Sequence, residues 1–354
     1  MQPIAVIGGL LAAATDRILE ITLNDEQGHR ADEVQITLDD RDFASPIPGS
    51  GTMLTVSLGY VETQIVNKGK YKIDGMTVSG PPYQVKIHAK SVDMHGKFKE
   101  KGYKSFVNRT LGDIVANVAA ANGYPAIISP ALQHHRIDFE AQSEESGLHF
   151  LTRLANRYDA TFKIVDGRVI FAERGGLQSV TGQAMRPLIV TWGNIIDYRC
   201  EVMQRPRHGR GRGRGWNRNT GREIREQSGP GRGPATNQAR YPSSTRNEAR
   251  RRAGSRGRGS HRKRGEMSVT IVGDPAVTSE SPVVVVGVRT GLNGVWRAKR
   301  VTHRLSGSGA YTTKIDCEKP NTDRRPASVG TNINIDGRPV PLSPAEMGGQ
   351  PPLP

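Results

Sequence analysis

The side chains best suited to chemistry in this chain are a histidine pair, an acidic pair and a dense run of arginines. His134 and His135 are adjacent, so on an extended strand their rings diverge, and no H-E-x-x-H brings a further ligand or base beside them. The remaining histidines are scattered, and His303, which follows strand-like residues, is expected to be packed. Glu144 and Glu145 are of the residue type that a peptidoglycan-cleaving site requires. A helix predicted from about Glu145 to Tyr158 gives them another role, because carboxylates at a helix N-terminus are stabilised by the dipole and the free N–H groups. Cys200 and Cys317 lack C-x-x-C spacing and suit half-buried thiols near strand ends, in a protein made in a reducing compartment. Gly209 to Gly215 alternates with Arg and does not follow the phosphate-loop pattern G-x-x-x-x-G-K. These residue types point to no enzyme, no metal and no cofactor.

The arginine run is the strongest local signal. Residues 205–264 hold eighteen Arg and one Lys against three Glu (Glu223, Glu226 and Glu248), a balance of +16 that equals the net charge of the whole 354-residue chain. The flanks are neutral, so function must be read from them. From His208 to Trp216 the alternation of Gly with Arg210, Arg212 and Arg214 resembles RGG tracts, which bind single-stranded nucleic acid through phosphate contacts and stacking. Only Trp216 and Tyr241 supply aromatics there, so stacking would be sparse. Thr245 to Arg252 carries a T-x-x-E box through Glu248 and predicts a short helix that clusters Arg250, Arg251 and Arg252.

The elements that would position these groups are mostly strands. Leu19, Ile21 and Leu23 alternate with Glu20 and Thr22; Val34, Ile36 and Leu38, then Leu54, Val56 and Leu58, then Tyr83, Val85, Ile87 and Ala89 repeat the pattern. Period two over four segments predicts an antiparallel sheet with one wet face, and short strands so closely spaced favour a small barrel or sandwich. At Thr110 the period changes: Leu111, Ile114, Val115, Val118 and Ala119 form a helical stripe, begun by a Thr110–Asp113 capping box and stopped by Asn122-Gly123. With the second helix and a hairpin turning at Asp166-Gly167, this makes an α/β module. Strand character returns at Leu188 to Val202 and, beyond the arginine run, at Met267 to Ile271, Val283 to Val286 and Tyr311 to Cys317. From Pro320 the chain is Pro-rich, with a little β potential at Asn332, Ile333, Asn334 and Ile335, and cannot bury a core of its own. The apolar Ile4 to Ala14 has no preceding Lys or Arg and is too short to span a bilayer, so neither a signal peptide nor stable membrane insertion is expected.

The expected fold is therefore mainly β with an α+β insertion. Two small antiparallel β-barrel-like domains (1–100, and 176–204 with 266–319) flank the α/β module (101–175), with an Arg/Gly-rich insertion at 205–265 and a tail at 320–354.

The runs VQITLDDRD (34–42), TLGDIV (110–115) and QSEESGLHFLTRLANRY (142–158), then VGDPAV (272–277) and GVWRAKRVTHRLSGSGAYTT (294–313), resemble the late control D proteins of contractile-tailed phages. Those are baseplate hub proteins related in fold to the hub portion of type VI secretion spikes. The resemblance implies a virion structural protein, synthesised in the host cytoplasm, that forms a homotrimer joining the sixfold tail tube, or a tube-initiator protein, to the threefold central spike, with the tape measure protein as a further neighbour. It also admits a ring-contact role for His303. Gly147 stands where the family usually has Asp, which removes any role for that short motif here. For the Arg/Gly-rich insertion three readings stay open: a solvated or lumen-facing loop, a contact with acidic surfaces of neighbouring tail proteins, and a nucleic-acid contact. The second is favoured, because like charges seldom order without an acidic partner. Candidate contacts are Arg210, Arg212, Arg214, Trp216, Arg250, Arg251, Arg252 and Asn332 to Ile335. The alternatives from other classes are a nucleic-acid-binding protein and a cell-wall hydrolase.

Overall fold

The computed structural model describes residues 2–320, apart from residues 11, 29–30, 46–47, 50, 64, 92–95, 166, 176–182, 184, 203–209, 218–219, 229–235, 240–241, 264 and 290–291, together with two short strands of the tail. The first β region comprises β1 (Pro3–Gly8), a one-turn helix α1 (Ala12–Thr15), β2 (Ile18–Glu26), β3 (Glu33–Asp39), β4 (Met53–Tyr60), β5 (Ile65–Ser79) and β6 (Gln84–Ser91). The period-two residues do face one core, where Ile21, Leu23, Ile36, Leu38, Leu54, Val56 and Ile87 are buried. Leu19 and Tyr83 are exceptions, and Tyr83 is exposed just ahead of β6. A register shift between Ile18 and Glu20 turns Leu19 outward and leaves it exposed, since one extra residue in a strand reverses the side-chain alternation.

The α/β module is built from β7 (Lys101–Thr110), α2 (Leu111–Ala121), β8 (Ala126–Ile128), α3 (Pro130–Gln133), β9 (Arg136–Ser146), α4 (Gly147–Tyr158), β10 (Ala160–Val165) and β11 (Arg168–Glu173). The capping box forms as expected: Thr110 Oγ1 accepts from the Asp113 N–H at 3.1 Å, and the Asp113 carboxylate accepts from the Thr110 N–H at 3.2 Å. Leu111, Ile114, Val115 and Val118 of α2 pack with Phe150, Leu151 and Leu154 of α4 over Phe162 and Phe171. α4 starts at Gly147 rather than Glu145, because Ser146 caps it through the His149 N–H (3.2 Å) and Glu144 and Glu145 complete β9. An added Cβ at Gly147 would lie 3.1 Å from Asn122 Nδ2 and 3.2 Å from the Phe98 ring, so a larger residue there would have to displace these neighbours by a few tenths of an ångström. His134 and His135 follow α3 instead of lying on a strand, and the His135 ring stacks on Tyr158 at 5.7 Å.

The second β region contains β12 (Leu188–Val190) and β13 (Ile195–Val202). After β13 the insertion contributes β14 (Arg210–Asn217), β15 (Arg222–Ser228), β16 (Thr236–Gln238) and α5 (Arg246–Arg262). The region resumes with β17 (Gly265–Val272), β18 (Pro282–Val285), β19 (Gly294–Ser306) and β20 (Tyr311–Glu318), and β21 (Asn332–Ile335) pairs with β22 (Arg338–Pro341) in the tail. Val190, Met267, Val269, Ile271, Trp296, Val301 and Ile315 form its core. The class is mainly β with α+β elements, as expected. Period-two patterning did not reveal that the two β regions are continuous: β2 pairs antiparallel with β19 from Glu20↔Ser306 to Glu26↔Arg300. The strand order is β1-β4-β5-β6-β3-β2-β19-β20-β17-β13, with β18 and β12 branching from β19.

Candidate interface

The Arg/Gly alternation is a strand with two unlike faces. Gly211, Gly213 and Gly215 of β14 lie against α5 and the segment leading into it so closely that a Cβ on them would stand 1.9–2.0 Å from the carbonyl oxygens of Ala253, Ala249 and Ser243. Only a residue with no side chain fits between a strand and a helix at that distance. The helix returns the condition, burying Ala249, Ala253, Gly254 and Gly257. Interior glycines cost a helix about 1 kcal/mol each relative to Ala, which explains why the sequence predicts only a short helix where the structure has 17 residues. Thr245 caps it as the T-x-x-E box requires, accepting from the Glu248 N–H at 3.3 Å.

With glycine on the inner face, Arg210, Arg212, Arg214 and Trp216 all take the outer one, and Trp216 is 55% exposed. Antiparallel pairing with β15 adds Glu223 opposite Trp216, Arg225 opposite Arg214 and Gln227 opposite Arg212. Arg250, Arg251 and Arg252 do not join this face. Arg250 is exposed on α5. Arg251 lies over the Tyr158 ring at 5.9 Å, and Arg252 pairs with Glu248 at 2.5 Å. The expected arginine cluster is thus divided between opposite sides of the insertion. Asn332 to Ile335 do form a strand, whose side chains lie outside the described residues, as do His208 and Tyr241.

The insertion is anchored by Arg258 and Arg262 of α5. Asp159, the C-cap of α4, receives Arg262 Nη2 at 2.5 Å and Arg258 Nε at 2.7 Å. Arg262 also approaches Glu318 of β20 at 3.5 Å, and the fully buried Arg297 reaches both Glu318 and Glu280. Nearby, Lys163 of β10 contacts Asp25 of β2 at 2.7 Å and Asp32 at 3.0 Å, while Asp25 also accepts from the Ser279 hydroxyl (2.6 Å) and N–H (2.8 Å). One lysine therefore ties the module to both β regions. Burial would raise the Asp25 pKa, but Lys163 outweighs it and holds the carboxylate below its ordinary range; burial and the Asp25 charge push Asp32 up to about 6. Neither Asp25–Lys163 nor Asp159–Arg262 was legible in the sequence, since each joins residues more than a hundred positions apart.

The acidic pair has structural partners. Arg153 of α4 binds Glu145 at 2.5 Å and Glu140 at 2.6 Å, Arg157 also binds Glu140, and the Tyr103 hydroxyl donates to Glu144 at 2.8 Å. Arg153, Arg157, Arg252 and Arg256 line a cleft of about 650 Å³ between α4 and α5. His303 is packed as expected, with Nε2 3.1 Å from Lys68 Nζ and Nδ1 3.1 Å from both Thr313 Oγ1 and Tyr311 Oη. Among the described residues no three His, Cys, Asp or Glu side chains are placed to hold a metal ion, and no helix is long and apolar enough to cross a membrane.

The described residues thus form a continuous two-part β scaffold whose parts are tied together by buried ion pairs. The chain belongs to the phage tail baseplate hub (GPD) family, whose sequence model matches residues 56–309. It is 31% identical over 177 residues to the probable baseplate hub protein of Escherichia phage 186, a match that takes in 50% of this chain and 46% of that protein's length. The fold is similar to that of a 43 kDa tail protein of prophage MuSo2 from Shewanella oneidensis (TM-score 0.67, 15% identity, 90% of this chain and 99% of that one). It is also similar to the E. coli c3393 protein, a type VI secretion component (TM-score 0.56, 13% identity, 92% of this chain and 79% of that one). Hub proteins of this family are structural components of virion tails rather than enzymes.

Proposed function

We propose that the protein is the homotrimeric baseplate hub of a contractile tail, joining the sixfold tube, or a tube-initiator protein, to the threefold central spike, and lying near the tape measure protein. The observation that carries this reading is the β2–β19 pairing, which sets the two β regions side by side in one sheet. Three copies of a chain with two such regions present six β units around an axis, and so can meet a sixfold ring evenly where a trimer of single units cannot. The division into barrel-like domains at 1–100 and at 176–204 with 266–319, with the module at 101–175 between them, belongs to the same proposal. Force would pass from one region to the other through sheet hydrogen bonds and the Asp25–Lys163–Ser279 tie. The test is the mass of the native oligomer, measured by light scattering alone and with its spike. Three copies are expected; a stable monomer within assembled tails, or a ring of six, overturns the reading.

A further inference from the structure

The outer face of the β15-β14-β16 sheet carries four arginines, Arg210, Arg212, Arg214 and Arg225, against one glutamate, Glu223. Arg225 is paired with Glu223 at 2.7 Å, whereas Arg210, Arg212 and Arg214 make no ion pair among the described residues. Arg214 stands directly opposite Arg225 in the register, and the two share the Glu223 charge between them, so this part of the face keeps an excess of positive charge. Arg212 Nε is screened from solvent and has no hydrogen-bond acceptor among the described residues, and an unmet donor costs about 1–3 kcal/mol until a partner supplies one. The glycine seam behind β14 fixes the backbone, so these side chains are presented from a rigid support.

From these features we infer that the outer face of the insertion docks an extended acidic segment of another protein, one bearing Asp or Glu at alternate positions. Successive arginines on a strand recur about every 6.7 Å, the spacing at which alternate side chains of an extended peptide also recur. Carboxylates on such a segment meet Arg210, Arg212 and Arg214 in order, with charge-assisted hydrogen bonds, while Trp216 covers its end. Single-stranded nucleic acid fits less well, because it binds through a succession of stacking platforms and, among the described residues, this face offers Trp216 alone.

The experiment uses the full chain and a synthetic peptide of alternating Glu and Thr, about ten residues long so that it spans the strand. Binding is followed by tryptophan fluorescence, with Trp216→Phe assigning the signal. Arg210→Gln/Arg212→Gln/Arg214→Gln should weaken the peptide by at least about tenfold, while Arg250→Gln/Arg256→Gln on α5 changes it by less than about twofold. At the same salt concentration oligothymidylate of equal charge should bind more weakly than the peptide. If the triple variant does not fold, judged by circular dichroism, Arg214→Gln alone carries the test with about threefold weakening. Oligothymidylate binding more tightly and being lost in the triple variant would transfer the face to nucleic acid. Equal loss in both multiple variants, or no binding by the parent, would overturn the docking face. None of these outcomes depends on how many copies the hub contains, so failure here and failure of the trimer are separate results.

Discussion

Asp159 and Arg262, 103 positions apart in sequence, meet through two hydrogen bonds of 2.5 and 3.1 Å in a setting where both side chains are almost wholly buried. Asp159 closes α4 with φ +56°, a left-handed conformation that Asp and Asn tolerate better than most residues. Burial would raise its pKa, but hydrogen bonding with Arg262 and the charges of Arg262 and Arg258 outweigh this and hold it below the ordinary carboxylate range. A segment whose composition reads as a free polycation is in this way locked to the module by one carboxylate.

Asp159→Asn tests that lock with little change of shape or backbone strain. It removes the charge that Arg258 and Arg262 share, leaving the buried Arg262 with the longer approach to Glu318 at 3.5 Å, and breaking a buried pair from one side typically costs about 3–5 kcal/mol. The expected result is a marked fall in thermal stability, or separate early melting of the insertion, with protease cleavage between 205 and 264. An unchanged melting temperature would show that the pair contributes nothing.

Gly213→Ala is expected to damage the same unit by a different route. Its Cβ would be placed 2.0 Å from Ala249 O, and the helix backbone that blocks it cannot rotate away as a side chain could. Overpacking of this kind costs about 1–3 kcal/mol or more. Gly193→Ala, whose nearest contact is 3.8 Å away, serves as the control and should unfold like the parent. Differential scanning calorimetry of the pair settles the comparison.

Elements with a strong repeat could be read from the sequence and those with unusual chemistry could not. α2 follows from its apolar stripe, Thr110 and Asp113; β3 and β6 follow from alternation. β5 was missed because only Tyr71 and Ile73 of its fifteen residues are buried, so its polar residues conceal the period. β14 was missed because its inward residues are glycines: the alternation is there, but hydrophobicity does not mark it. Of the candidate contacts, Arg210, Arg212, Arg214 and Trp216 do share one face, as a strand of alternating residues dictates. The consecutive Arg250, Arg251 and Arg252 cannot share a face, since adjacent residues on a helix point about 100° apart.

His303 makes the stability of the fold depend on pH. Burial, reinforced by the Lys68 charge, lowers its pKa from 6.5 to about 3, so the folded state keeps it neutral where the unfolded chain would protonate it. Its contribution is complete above pH about 6.5 and is lost as pH falls toward 3, a total of roughly 3–5 kcal/mol. Asp32 works in the opposite sense, because its raised pKa favours the fold as pH falls from about 6 to 3.8, by roughly 3 kcal/mol. The parent should therefore lose a modest amount of stability on acidification, and His303→Gln should abolish or reverse that slope whatever its effect at neutral pH. Urea titrations at pH 7 and 4.5 measure the slope; the same slope in both proteins would exclude His303 as its source.

The insertion should be removable without loss of the hub fold. Val202 ends β13 and Gly265 begins β17, and these two residues face each other in antiparallel register. The whole of 203–264 thus leaves and returns at one end of a strand pair, where a two-residue turn such as Asn-Gly can close the gap. Deleting only part of it, for example 207–234, would strip β14 and β15 from α5 and expose the Ala249, Ala253 and Gly257 surface that they cover. Full excision instead leaves Asp159 facing water, where its charge is solvated, and keeps Arg297 paired with Glu280 and Glu318. The expected outcome is a soluble, cooperatively melting protein of the parent's oligomeric state that no longer binds the acidic peptide. If the excised chain aggregates while the partial deletion folds, the insertion is part of the hub core and not a module built onto it.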